Sequence, residues 1–370
     1  MSSWPIKPLG KLCEVLDRYR KPITKSDRRE GPYPYFGAMG VVDYVDGFLF
    51  DEPLILLGED GAKWGSGELC AFKASGKYWV NNHAHIMRPD RSQVLDDWLV
   101  YYLCGTDLLP FITGLTVPKL NQERMREIPI PLPPLEEQRR IVAVLDEAFA
   151  AIATATTNAQ KNLANARELL TAEVSALFGN RGDGWLTLPL GSVCEMYQPT
   201  TIGKKDMVDD GPYIVFGANG AIGRYDKFNH EEPQLLVTCR GATCGSVNMS
   251  EPFAWITGNA MVVRPKDKSL RLGLLRSIFQ YAFDFSKVIT GAAQPQITRQ
   301  SFAPAIIAYP AELSDQITLE SRIDSIAAAM DELIACYEQK LETLAKLKQS
   351  LLHRAFTGEL TTTAPDLVPA

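Results

Sequence analysis

GPYIVFGANG, residues 211–220, repeats GPYPYFGAMG, residues 31–40, at seven of ten positions. Working outward, the opening WPIKPLGKLCEV (4–15) returns as WLTLPLGSVCEM (185–196), and DEPLILL (51–57) meets EEPQLLV (231–237). Farther on, GEDGAKWGS (58–66) meets TCRGATCGS (238–246), NNHAHIMRP (81–89) meets TGNAMVVRP (257–265), and FITGLTVPKL (111–120) meets VITGAAQPQI (288–297). The spacing drifts only from 181 to 176 to 178. A period this long means duplicated domains of one fold, with short insertions in loops, and not a solenoid.

Each unit reads as two parts. The first is a patchwork of short apolar runs (VVDYVDGFLF, EPLILL, KYWVNNHAHIM) broken by Gly, Pro, Asn and Asp, which predicts an irregular strand-rich domain with a helix near residues 95–109. The second is a long helix. After IPIPLPPL, whose prolines at 129, 131, 133 and 134 forbid helix, apolar residues fall at Ile141, Leu145, Ala148, Ile152, Ala155, Ala159, Leu163, Ala166, Leu170, Val174 and Leu177. Steps of three and four are the seam of a coiled coil. The stripe recurs 178 residues later through Leu319, Ile323, Ile326, Met330, Leu333, Tyr337, Leu341 and Leu344, then Leu352 and Ala355, with Ser314 as the expected N-cap.

The expected boundaries are domain one at 1–134, helix one at 135–178, a linker at 179–184, domain two at 185–313, helix two at 314–357 and a tail at 358–370. A helix of this length is roughly 65 Å long, whereas the linker GNRGDG reaches at most about 20 Å. A domain of this size has a radius of gyration near ~14 Å and cannot carry the chain back along the helix. The expected fold is therefore α+β: two tandem, pseudo-twofold-related domains separated by two long antiparallel coiled-coil helices.

The chain has 370 residues and a formal net charge of −6, which argues against indiscriminate coating of nucleic acid. Residues 1–134 carry 16 basic and 17 acidic side chains and residues 181–313 carry 13 and 12, so both domains are near neutral. The seven scattered cysteines fit a reducing compartment. The N-terminus, MSSWPIKPLGKL, has no apolar signal-like stretch, and runs such as LILL are too short for a bilayer, so the expectation is cytoplasmic with no membrane partner.

IPIPLPPLEEQRRIVAVLDE (128–147) following TVPKLNQERM, the FGANG and RGATCGS stretches of the second half, and the C-terminal LKQSLLHRAFTGEL (347–360) together resemble the DNA specificity subunit of type I restriction-modification systems. The resemblance covers nearly the whole chain. It implies two target recognition domains, each reading half of a bipartite asymmetric site in double-stranded DNA, and helices that dock two adenine methyltransferase subunits. S-adenosylmethionine would then belong to those partners, with no cofactor in this chain. A restriction (nuclease/translocase) subunit would join the complex where the system has one. The sequence departs from the family pattern in GEDGAKWGS, in the lead-in IIAYPAELSDQ to the second helix, and in ALFGN at the end of the first.

Shared glycines at 31/211, 37/217, 40/220, 61/241 and 65/245 point to common turns, while neighbouring side chains differ: Asp60 against Arg240, Lys63 against Thr243, Trp64 against Cys244, Met39 against Asn219. Arg240 suits guanine and Asn219 adenine in a major groove. The residues put forward for DNA contact are Lys63, Trp64, Lys119, Lys204, Lys205, Asn219, Arg240, Thr243 and Gln296, and for partner docking Gln138, Arg139, Arg140 and Gln316. At any single position a surface charge or turn residue is the alternative. FGANG lacks a phosphate-loop pattern, and His83 with His85 or Cys239 with Cys244 form no four-ligand metal set. No DPPY or NPPF motif supplies methyl-transfer chemistry, so a noncatalytic role is expected. The rival reading is a coiled-coil scaffold with duplicated ligand-binding domains and no nucleic acid.

Overall fold

A computed structural model describes residues 4–360 except 115, 259, 292 and 293; most of the expected tail, residues 361–370, lies outside the described residues. The chain divides into two compact units, Met1–Gln160 with Glu338–Ala370, and Lys161–Tyr337.

Unit 1 begins with β1 (Ile6–Pro8), β2 (Cys13–Val15), β3 (Tyr33–Gly37), β4 (Gly40–Val45), β5 (Phe50–Asp51), β6 (Leu54–Gly58), β7 (Ala71–Ala74), β8 (Lys77–Val80) and β9 (Ala84–Pro89). Then come α1 (Asp96–Gly105), α2 (Gln122–Arg126), β10 (Pro129–Pro131) and the start of α3 (Leu135–Gly179). The strands pair as β2-β9-β6-β7, β4-β3-β8-β5 and β1-β10. Every residue of β6, LILLG, is buried, because side chains alternate across a strand and both faces here meet apolar neighbours. Ile55 and Leu57 enter a core with Trp98, Leu99 and Leu103 of α1, and Leu54 and Leu56 enter a second core with Tyr78, Val80 and Phe50. Burying each such side chain contributes about 1.5–3 kcal/mol.

Unit 2 repeats the plan with β11 (Trp185–Pro189), α4 (Leu190–Val193), β12 (Cys194–Tyr197), β13 (Tyr213–Gly217), β14 (Gly220–Tyr225), β15 (Leu235–Thr238), β16 (Val247–Met249), β17 (Trp255–Ile256) and β18 (Ala260–Pro265). It continues through α5 (Leu272–Tyr281), α6 (Arg299–Phe302), β19 (Ile306–Pro310) and α7 (Leu313–Thr357). The sheet orders, β12-β18-β15-β16, β14-β13-β17 and β11-β19, match those of unit 1 strand for strand apart from the β5 partner. Even the irregularity is shared: the β3/β4 and β13/β14 hairpins each shift register, at Tyr35/Phe36 and at Val215/Phe216.

The quoted phrase earns its repetition here. A Cβ on Gly31 would lie 2.3 Å from the Asp46 backbone, and on Gly211 2.5 Å from that of Tyr225, so only glycine lets the two chains approach. Gly40 and Gly220 close the hairpins at φ 130° and 113°, a region side chains rarely enter.

Within unit 1, Ile141 and Leu145 near the start of α3 share a core with Leu352 and Ala355 near the end of α7. Within unit 2, Val174 and Phe178 near the end of α3 meet Leu319 and Ile323 near the start of α7. In both places one helix begins beside the other's end, which is antiparallel pairing. The predicted stripe is the covered face: along α3 none of its residues is exposed, and along α7 only Leu333 is. α7 starts at Leu313, so Ser314 sits inside the first turn instead of capping it. Among the described residues α3 is the one helix long and apolar enough to cross a membrane by length and composition, with a mean hydropathy of 1.2 over its most apolar window. Alanines supply much of that value, and both ends of α3 are built into protein cores.

Candidate nucleic-acid interface

In each unit the loops that carry the most divergent side chains gather at one end of the sheets. In unit 1 this end holds the β3/β4 turn, the segments after β2 and β6, the segment before β9, and residues 113–114 and 116–122. A Cβ on Gly58 would meet the Ala38 carbonyl at 3.0 Å, which places the hairpin turn against the end of β6. In unit 2, Thr238 Oγ1 donates to the Ala218 carbonyl (2.6 Å) and to Asn219 Oδ1 (3.0 Å), making the same junction.

A pair of backbone bridges organises both ends. Asp60 bridges Lys119, which also bridges Thr113; Arg240 bridges Gln296, which also bridges Thr290. The Leu120 N–H donates to the Glu59 carbonyl (2.8 Å), and the Ile297 N–H to the Cys239 carbonyl (3.0 Å). Register extends the equivalence, since His85 lies opposite Leu57 as Met261 lies opposite Val237, and Val15 opposite Met87 as Met196 opposite Val263. Positions 17, 59, 85 and 119 of unit 1 thus correspond to 198, 239, 261 and 296 of unit 2.

The chemistry at these shared positions differs. In unit 1 the buried His85 ring stands between the Asp17 carboxylate (Nδ1 to Oδ2, 2.6 Å) and the Leu120 carbonyl (Nε2 to O, 2.7 Å). Both ring nitrogens thus face oxygen atoms, and the ring bridges the Asp17 carboxylate and the Leu120 carbonyl. Glu59 completes the cluster, 3.7 Å from His85, and is paired to Arg20 and to Lys119 Nζ (2.8 Å). Burial alone would raise the Asp17 pKa, but hydrogen bonds from His85, the Ile86 N–H and Gln122 outweigh it and hold the carboxyl below its ordinary value. Glu59 is likewise lowered against its burial by Lys119 and Arg20, and the bond to Glu59 raises Lys119. Asp17, Glu59 and His85 are close enough to suggest a metal site. Within the cluster both His85 nitrogens already have oxygen partners and Glu59 already pairs with two cations.

Unit 2 has Gln198, Cys239 and Met261 there, and Gln198 Nε2 donates to Cys239 Sγ (3.0 Å). Where unit 1 is filled with charge, unit 2 keeps a cavity of about 380 Å³ lined by Tyr197, Gln198, Arg240, Met261, Gln296 and Arg299 among others, with no carboxylate in its wall. Arg240 is exposed and makes no ion pair among the described residues.

Of the other residues singled out from the sequence, Lys63, Thr243, Lys204 and Lys205 are exposed, the last two on a short turn, Lys204–Asp206. Three assignments need correction. Trp64 is 4% exposed, and its indole N–H donates to the Gly58 carbonyl (3.0 Å), so it is a core residue with no free edge for DNA. Gln138 and Gln316 are fully buried and cannot form a docking surface. Gln138 accepts from the Leu95 N–H and donates to the Gln93 and Pro133 carbonyls (2.9–3.0 Å). Gln316 does the same with the Arg271 N–H and the Ser269 and Pro310 carbonyls (2.7–3.0 Å). Each is a clamp tying its long helix to its own unit. Arg139 and Arg140 are exposed on α3, with Arg140 paired to Glu137 (2.9 Å). The paired histidines separate: His83 is on the surface beside Asp60, while His85 is internal. Sequence reasoning missed Asp17, Glu59 and Gln198, which nothing in their local sequence marks.

Comparison with known proteins matches this two-unit architecture. The sequence model of the type I restriction modification DNA specificity domain fits residues 1–164 and again 182–347. A Haemophilus influenzae protein described as a candidate type I restriction enzyme specificity subunit is 36% identical over 141 residues, 38% of this chain and 36% of that relative's length. The MjaVIII type I restriction enzyme specificity subunit of Methanocaldococcus jannaschii is 21% identical across 96% of this chain and 93% of its own. Among solved structures, one described as showing complex assembly and conformational transition of the type I restriction-modification system shares the fold with a TM-score of 0.74 at 19% identity, covering 95% of this chain and 97% of that one. The HsdS subunit of Thermoanaerobacter tengcongensis shares it with a TM-score of 0.55 at 18% identity, covering 97% and 98%. With two family domains spanning most of its length, the chain belongs to the type I restriction-modification DNA specificity family.

Proposed function

We propose that this chain is the noncatalytic recognition subunit of a type I restriction-modification complex, in which each unit reads one half of a bipartite, asymmetric site in double-stranded DNA. One observation carries the reading: two units of one backbone plan present unlike side chains at the same bridge, Asp60 with Lys119 against Arg240 with Gln296. Equal frames with unequal side chains are what two different half-sites require, because base identity is read by hydrogen-bonding groups at the groove edge while the frame sets position. α3 and α7 would dock two adenine-N6 methyltransferase subunits, with the exposed Arg139 and Arg140 of α3 as contacts. S-adenosylmethionine and the methyl-transfer chemistry would belong to those partners, and a nuclease/translocase subunit would join through them.

Near-neutral units offer few phosphate contacts, so the isolated chain should bind DNA weakly and gain affinity with the methyltransferase. The test is reconstitution of the full chain with its methyltransferase, followed by mapping of methylated adenines. A single bipartite site with unlike halves is expected. Methylation without a defined site, or tight specific binding by the chain alone, overturns the reading.

A further inference from the structure

The bridged loops are built alike to a degree that isolates their side chains as the variable. Gly61 and Gly241 follow the strand-end residue at φ 71° and 86°, and Gly114 and Gly291 begin the facing loop at φ 89° and 86°. The Thr113 N–H to Lys119 carbonyl and Thr290 N–H to Gln296 carbonyl bonds are both 2.8 Å. On this common frame, unit 1 pairs its lysine: Lys119 Nζ is held by Glu59 (2.8 Å) although the side chain stays partly accessible. What remains at the strand end is the Asp60 carboxylate, contacted on Oδ1 by His83. Unit 2 has Cys239 in place of Glu59, and Arg240, exposed and in no ion pair among the described residues, lines the cavity.

We propose that positions 60 and 240 are the equivalent base-reading points of the two units: Asp60, oriented by His83, accepts a hydrogen bond from the exocyclic amino group of a cytosine, and Arg240 donates to the O6 and N7 edge of a guanine. This rests on the DNA-reading function above and assigns it a chemistry at one position of each half-site. A carboxylate repels phosphate and accepts from an amino group, whereas a guanidinium matches the paired acceptors of guanine. The cluster of unit 1 is then a positioning device that pairs Lys119 with Glu59 and leaves the half-buried Asp60 carboxylate to His83 and an incoming base.

The experiment compares full-length Asp60→Ala, Asp60→Arg and Arg240→Ala, each in complex with the methyltransferase, by methylation across libraries randomised in both half-sites. Asp60→Ala should reduce discrimination at one base of the unit 1 half-site by roughly 5- to 150-fold and leave the other half-site untouched. Asp60→Arg should shift that base toward guanine, a gain that a misfolded unit cannot produce. Arg240→Ala should relax one guanine of the other half-site by a similar factor. Uniform weakening over all sequences would make these phosphate contacts, and unchanged profiles would remove them from the reading surface; either result overturns the inference. A wild-type complex with no defined site would instead sink the proposed function itself, so the two failures are distinguishable.

Discussion

The loop end of unit 1 and the loop end of unit 2 have the same strands, turns and bridges, yet one is packed with a buried histidine, two carboxylates and their cations, and the other is a cavity with two arginines and no carboxylate in its wall. The difference shows where this fold tolerates change. Asp17, Glu59 and His85 stand where unit 2 has Gln198, Cys239 and Met261, and Lys119 stands where it has Gln296, so the charges differ while the strand register is kept. Charges inside unit 1 must therefore change together. Removing one leaves the others buried and uncompensated, which is costly, whereas replacing all of them is not.

The comparison is broken most severely at His85. His85→Met, which installs the side chain of unit 2, should destabilise unit 1 by about 3–5 kcal/mol and lower its melting temperature by on the order of 10 °C. Adding Asp17→Gln and Glu59→Cys should recover part of the loss. If the single variant melts like wild type in calorimetry, the cluster is not the organising feature described here.

Next in size is a change that should act equally on both units. Gln138→Leu and Gln316→Leu each strand a backbone N–H and two carbonyls, so each should cost about 3 kcal/mol or more, visible as matching shifts in denaturant midpoints. Markedly unequal costs would mean the two clamps are not equivalent.

Acid separates the units in the opposite sense. Asp17 and Glu59 have folded pKa values below their unfolded ones, so their stabilisation is present above the unfolded values near ~4 and is lost as pH falls through the folded values. Gln198 and Cys239 contribute no such term. Hydrogen exchange followed from pH 6 downward should show amides around β6 and β9 losing protection before those around β15 and β18. Simultaneous loss would contradict the charge assignment.

The smallest expected effect lies at Lys204 and Lys205. Replacing both by Ala should weaken the DNA affinity of the complex uniformly and lower the salt slope of binding by roughly 1 per phosphate contact. A shift in base preference on titrating either variant against mutated sites would move them from phosphate to base contact.

Gln138 and Gln316 show how far sequence reading reaches. They stand at the same place in the repeat, 178 residues apart, so their importance is visible in the text. Their role was not, because a glutamine beside exposed Arg139 and Arg140 looks like surface until α1 and α5 are seen packed over it with unpaired backbone groups. Trp64 misleads in the same manner: beside Lys63 in a glycine-rich loop it resembles a DNA-stacking ring, but the loop folds it under β6.

The sequence by itself determined the duplication, the strand-rich domains, the glycine turns of GPYPYFGAMG and GPYIVFGANG, and the two long helices, because these depend on local backbone conformation and on apolar periodicity along a continuous chain. Only the tertiary structure decided which side chains share a neighbourhood. Asp17 meets His85 across 68 residues, and Lys119 meets Glu59 across β7, β8, β9 and α1. Short-range electrostatics and hydrogen bonding depend on distances in space that no local pattern encodes, so the different chemistry of the two loop ends emerges only once the sheets are assembled.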